Sequence, residues 1–340
     1  VALLLDTRLE VVVTEGESGR LGRPTLLVTG AAGFAGQALV DLAHRRRFHV
    51  RAVVRSRRVS WPAGVETHVI DDIASADWSA ALEGVDVVVH LAARVHVMRD
   101  TSADPAGDFR RVNVDATERL ARAAARAGVR RLVFASSVKV LGDTTVPGRP
   151  FDDRSEPRAH DAYGRSKLEA ELALASIAAG GALGVTVLRP VLMYGPGVKG
   201  NVARLMRWVD SGVPLPFGAI DNRRSLLGVH NFADAVLAVA HHPDARGRTF
   251  VVSDGEDVST PELVRRVGRA LGTRARLLRV PVPVLRAAGR IAGEAWWQRL
   301  GGSLQVDISG LRAAVDWAPP LTLDTGLGLM ADARSRGRAR

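Results

Sequence analysis

With 340 residues, 46% of them apolar, the chain carries enough hydrophobic material for one large core or two joined ones, which excludes a disordered protein. It contains no cysteine, so disulfides, thiolate catalysis and cysteine-ligated zinc or iron–sulfur centres are excluded as well. Its net charge of +11 comes mainly from arginines spread along the chain, with local runs at 45–47, 55–58 and 334–340 and few interleaved aromatics, a pattern that reads as solvated surface and predicts no nucleic-acid partner.

The first stretch, Val1 to Val13, is interrupted by Asp6, Arg8 and Glu10, and no apolar run in the chain approaches the roughly 18 residues needed to cross a bilayer. A secretory signal and membrane insertion are therefore not expected, and a cytoplasmic location fits. Residues 1–23 end in a glycine- and charge-containing stretch without a core pattern and are read as an N-terminal extension.

From Thr25 short apolar runs alternate with helical periods. Strands are expected at Thr25–Thr29, Val50–Val54, Thr67–Ile70, Val85–Leu91, Arg131–Ser136 and Val185–Leu188, and helices at 34–47, 109–127 and 160–179. Buried strands separated by helices pair in parallel, so the expected class is α/β, with a Rossmann-type doubly wound parallel sheet over 24–190. Beyond about residue 190 the chain loosens into Pro/Gly-rich loops (194–197, 214–216) between helical segments at 201–211, 231–242, 260–271 and 281–292. Residues 191–330 are expected to form most of a smaller substrate-binding domain, with a strand near Thr249–Ser253 returning to the main sheet and a basic tail at 331–340. The 281–300 segment, with Trp296 and Trp297, is read as packing in the small domain in preference to lying on a membrane.

Directly after the first expected strand comes Gly30-Ala31-Ala32-Gly33-Phe34-Ala35-Gly36, opening a helix. Glycines at this spacing allow a sharp turn, close approach of backbone to a pyrophosphate and tight helix–strand packing, and the helix N-terminus offers free N–H groups to the anion. A site that prefers NAD usually has an acid at the end of the second strand for the ribose hydroxyl. Here Val54 runs into Arg55-Ser56-Arg57-Arg58, so Arg55 is a candidate partner for the extra phosphate of NADP(H).

The rarest polar residues carry the next signal. Of 47 basic residues only Lys139, Lys167 and Lys199 are lysines, and Tyr163 and Tyr194 are the only tyrosines. Tyr163 and Lys167 stand four residues apart at the start of an expected helix, which puts phenol and ammonium on one face. Such a pair predicts a general base, the positive charge favouring phenolate.

On these motifs the chain resembles the extended short-chain dehydrogenase/reductase superfamily, within it the NAD-dependent epimerase/dehydratase family and enzymes similar to UDP-glucose 4-epimerase, over roughly residues 25–330. The resemblance implies cofactor contacts at Gly30, Gly33, Phe34, Gly36, Asp72, Ile73, Leu91, Ala92, Ala93, Asn113, Tyr163, Lys167 and Pro190, with Ser137 as the catalytic hydroxyl beside Tyr163 and Lys167. It implies NAD as cofactor, where Arg55 and the missing acid point to NADP(H), and it calls for no metal. Asn201, Arg224 and Arg299 fall where relatives hold the nucleotide of the substrate; equally, Asn201 is placed to cap a helix, and the two arginines to lie on the surface. Dehydratases of the family carry an Asp-Glu pair after the catalytic hydroxyl, whereas Val138 and Lys139 follow Ser137, which argues against dehydration and leaves Lys139 either approaching substrate or facing away. The implied activity is C4 epimerisation of a UDP-hexose, UDP-glucose or UDP-N-acetylglucosamine, by a homodimer. An NADPH-dependent UDP-4-keto-6-deoxy-sugar reductase is the alternative, and a non-catalytic dinucleotide sensor the distant one.

Overall fold

The computed structural model of the chain describes residues 23–95, 104–146, 148–292, 297 and 300–338. The expected extension over residues 1–22, Trp296, Arg299 and the last two residues of the basic tail lie outside the described residues.

Seven strands form one sheet: β1 (Thr25–Thr29), β2 (His49–Val54), β3 (Glu66–Val69), β4 (Val87–His90), β5 (Arg131–Ala135), β6 (Gly184–Pro190) and, late in the chain, β9 (Thr249–Val252). Their order is β3-β2-β1-β4-β5-β6-β9 and every pairing is parallel. The apolar runs are continuous because both faces are covered. Leu26 and Val28 point into one core with Val87, Val89 and Val133, while Leu27 points into another with Val88, Leu132 and Phe134. Each such buried aliphatic side chain contributes about 1.5–3 kcal/mol relative to exposure.

Helices α1 (Phe34–Arg45) and α7 (Val229–His241) pack against each other on the first face; α2 (Ser79–Leu82), α4 (Ala116–Arg126) and α5 (Ala162–Ala178) cover the second. The strand order reverses at β1, so the carboxyl ends of β1 and β4 open a crevice of the kind in which α/β sheets bind ligands.

The rest of the chain builds a three-stranded sheet, β10-β8-β7, from β7 (Leu192–Tyr194), β8 (Arg224–Gly228) and β10 (Asp257–Val258), with β8 parallel to β7 and antiparallel to β10. A third core joins it to α6 (Asn201–Asp210), α8 (Thr260–Ala270) and a C-terminal helix over Leu323–Arg338, which includes Leu323, Leu327 and Met330. Residues 331–338 thus continue a helix, with Arg334 paired to Asp210 at 2.8 Å.

The helix expected over 109–127 is interrupted. A short helix α3 (Pro105–Arg110) passes through a π-helical turn, Arg111–Asp115, before α4 begins. At that turn the Asn113 amide bonds the loop after β4 on one side and α5 on the other.

Candidate active site

The glycine turn lies at the carboxyl end of β1. Gly30 has φ +66°, and a Cβ there would stand 2.8 Å from the Ala92 nitrogen and 3.0 Å from the Leu91 carbonyl carbon, so a side chain is excluded by backbone crossing from β4. Gly36 is tighter: a Cβ would stand 2.2 Å from the Gly30 carbonyl oxygen. Gly33 caps α1 in an extended conformation without a side chain to bond the first turn, and that turn contains no acid. The first intrahelical acceptor bond is Gln37 N–H to the Gly33 carbonyl, at 3.0 Å, which leaves the N–H groups of Phe34, Ala35 and Gly36 without helical partners. A helix start uncapped, free of negative charge and lined by backbone alone suits a pyrophosphate, so the residues present fit a dinucleotide.

At the carboxyl end of β5 stand the residues with chemistry. Ser137 stands close enough to the Tyr163 phenol to favour its ionisation, and Lys167 lies buried beside them, 2% exposed, donating to the Ala135 carbonyl at 2.7 Å with its ammonium 4.5 Å from the Phe134 ring centre. Burial pushes Tyr163 up to about 12; the Ser137 hydrogen bond works against this and the Asp161 charge adds to it. Burial pushes Lys167 down to about 7, opposed by Glu171. Burial acts on the phenol most strongly, with Ser137 and Asp161 after it.

A layer of fixed polar groups holds these residues. His90 on β4 bridges Thr29 (2.7 Å) and Thr117 (2.9 Å), and its burial lowers the imidazole to about 3, so it is neutral at physiological pH. Asn113 accepts from the Arg94 N–H (2.8 Å), donates to the Arg94 carbonyl (3.0 Å) and donates to Ser166 (2.9 Å), tying the loop after β4 to the helix that carries Tyr163. On α5, Glu171 pairs with Arg189 of β6 at 2.6 Å and accepts a hydrogen bond from Ser136. Removing one partner of such a buried pair costs about 3–5 kcal/mol, so the pair pins α5 to the strand end.

Other expected contacts are dispersed. Phe34 opens α1 with its ring edge toward Gly195, Ala93 follows Ala92 in the loop after β4, and Pro190 is buried at the end of β6, paired with Val252. Arg55 is exposed at the end of β2, and among the described residues no carboxylate pairs with it. Ile73 packs on the second core, while the Asp72 carboxylate accepts from the Ala74 N–H, Ser75 and Arg111; the Ala74 bond foremost holds it below the usual carboxylate range.

In the C-terminal part, Asn201 is exposed in the first turn of α6, whose cap is Gly200. Arg224 donates to the Gly302 carbonyl at 2.9 Å. Arg299 is outside the described residues. Sequence reading passed over His90, Ser166, Glu171 and Asp161. Asp161 had left a signal, an acid immediately before a helix: its carboxylate accepts from the Gly164 N–H at 2.6 Å and caps α5.

The signature of the NAD dependent epimerase/dehydratase family matches residues 26–253. The chain is 42% identical to the UDP-glucose 4-epimerase of Vibrio cholerae, over 91% of this chain and 95% of the relative. It is 33% identical to a 3 beta-hydroxysteroid dehydrogenase/Delta 5→4-isomerase of Mycobacterium tuberculosis, over 82% and 76% of the two chains. Among solved structures, MoeE5 in complex with UDP-glucose and NAD superposes with a TM-score of 0.75 at 28% identity, covering 93% of this chain and all of that one.

Proposed function

Because the chain belongs to the NAD-dependent epimerase/dehydratase family, we propose that it inverts the C4 hydroxyl of a UDP-hexose, UDP-glucose or UDP-N-acetylglucosamine, through a 4-keto intermediate. The observation that carries this reading is Lys167, buried and anchored on the Ala135 carbonyl one helical turn from Tyr163 and beside Ser137, at the same sheet edge as the glycine turn. Bound at that turn, a nicotinamide dinucleotide supplies the hydride acceptor and donor.

The chain's own residues manage the proton. Tyr163 removes it from the sugar O4 and returns it after the keto sugar has turned over, and Ser137 donates its one hydroxyl proton to O4 and so orients it. Lys167, fixed by the Ala135 carbonyl, is placed for the nicotinamide ribose. The Phe34–Ala35–Gly36 N–H groups hold the pyrophosphate, and Asn201, Arg224 and Arg299 contact the UDP moiety. Since no net oxidation occurs, the dinucleotide stays bound between turnovers. A cytoplasmic homodimer without a nucleic-acid partner completes the reading.

A second reading rests on Arg55 and the absence of an acid after β2: the same residues serve an NADPH-dependent reductase of a UDP-4-keto-6-deoxy sugar, with Tyr163 as acid. Purified protein is incubated with each UDP-hexose without added cofactor, and separately with the keto sugar and NADPH. Appearance of the C4 isomer supports epimerisation; stoichiometric NADPH loss without isomer formation overturns it in favour of reduction. Tyr163→Phe is expected to keep the dinucleotide and lower turnover by about 10²–10⁴-fold. Undiminished turnover removes Tyr163 from the mechanism.

A further inference from the structure

Lys139 stands two residues beyond Ser137, where the family's dehydratases carry acid. Its side chain reaches two carboxylates: the ammonium bonds Asp143 and lies 2.9 Å from Asp161. Asp161 in turn caps α5 through the Gly164 N–H. The Lys139 backbone also meets Ser137 and the first turn of α5, since its N–H donates to Ser137 at 3.2 Å and its carbonyl lies 2.7 Å from where a Cβ on Gly164 would stand. That contact explains a glycine directly after Tyr163.

We propose that Lys139 is a positioning residue: its ammonium clamps Asp161 in the cap of the Tyr163 helix and screens the Asp161 charge from the phenol. The inference rests on the reading of Tyr163 as the base.

Asp161 is not the only charge near the phenol, but it is the one that Lys139 touches. Of the other charged groups on elements packed against α5, Arg110 is paired with Glu169, Arg111 with Asp72, Asp108 with Arg94 and Arg189 with Glu171; Glu118 and Arg122 pair within α4, Asp115, Arg119 and Arg126 are exposed, and His90 is neutral. On α5 itself Arg165 donates to the His160 carbonyl, and Lys167 donates to the Ala135 carbonyl, its ammonium pushed down to about 7 by burial and unchanged by either substitution below. Asp161 is the charged group that raises Tyr163. Burial works against the Lys139 ammonium, but its hydrogen bonds to Asp143 and Asp161 outweigh this and hold it above the ordinary lysine value, so it is charged throughout the working range.

The signs are opposite for the two partners, which separates charge from mere structure. In Lys139→Met the Asp161 charge is uncovered and the phenol holds its proton more tightly. The acid limb of kcat/KM is expected to move up by about one pH unit, with about tenfold less activity at neutral pH. Asp161→Asn keeps a capping side chain but removes the charge, and the limb moves down. Lys139→Arg restores the parent profile, and the double variant Lys139→Met with Asp161→Asn returns toward it.

The phenolate ultraviolet band gives a readout independent of turnover. Tyr194, the other phenol, is buried and bonded to Asp254, and burial first and that carboxylate second push it far above the ordinary range, so the band reports Tyr163. Onset of the band is expected to shift in the same directions as the acid limb. Superimposable profiles, or shifts of equal sign in Lys139→Met and Asp161→Asn, overturn the proposal. If Tyr163→Phe retains full activity, the base assignment fails separately, and the phenolate band still decides whether Lys139 screens Asp161.

Discussion

The two sheets organise the residues beside them in different ways. At the end of β1 the fit is made by backbone: Gly30 against Ala92, Gly36 against Gly30, and a helix start with nothing on it. Beside the small sheet the fit is made by side chains reaching distant carbonyls. Asn222 donates to Leu300 and Gly302 and accepts from the Thr260 N–H, Arg224 donates to Gly302, and Asn231 joins Asp254 to Leu321. A backbone fit tolerates no added atom, whereas a fit through side chains is lost one bond at a time and admits different ligands with little change of fold.

Three substitutions test that contrast, in descending order of effect. Gly36→Ala puts a methyl into a space 2.2 Å from a carbonyl oxygen that has no freedom to move, and overpacking of this kind costs about 1–3 kcal/mol or more. Dinucleotide binding is expected to be lost and the melting temperature to fall; an affinity within a few-fold of the parent, read by nicotinamide fluorescence, breaks the contrast. Asn222→Ala leaves the Thr260 N–H without its side-chain acceptor, at a cost of about 1–3 kcal/mol. Steady-state kinetics should show a raised KM for the UDP-sugar and an unchanged dinucleotide affinity; equal loss of both shows that the two sheets act as one.

At neutral pH the smallest effect belongs to His90, and it shows as a slope on acidification. His90 is neutral when folded and titrates at about 3, against 6.5 unfolded, so between those values the unfolded chain binds more protons. Its contribution to stability is complete above pH 6.5 and is lost as pH falls toward 3. Thermal melting of His90→Gln should therefore fall less steeply over that window than melting of the parent; parallel curves exclude His90 as the source.

What was legible in the sequence follows the same division. The strands, the glycine turn and the Tyr163–Lys167 pair were readable because each depends on spacing within a few residues and on residue types that are rare or conformationally special here. Arg224 and Lys139 were visible as residues but not in their connections, since Gly302 and Asp161 lie far from them along the chain. The helix over Leu323–Arg338 was obscured by its own glycines, of which Gly326 serves packing: a Cβ there would stand 2.7 Å from the Tyr194 hydroxyl. The π-helical turn was hidden for the opposite reason. The periodicity through 109–127 is unbroken, while the bonds that Asn113 makes at the interruption reach a loop and a helix distant in sequence.

The place of β9 bears on how the chain comes off the ribosome. The strand that covers β6 is Thr249–Val252, so the large sheet stays incomplete until some sixty further residues, including two strands of the small sheet, have been synthesised. Throughout that interval β6 offers unpaired N–H and C=O groups along an apolar strand, the arrangement most prone to pair with a second nascent chain. A truncation after β6 inherits that bare edge permanently, and its fate is aggregation rather than a working half-enzyme.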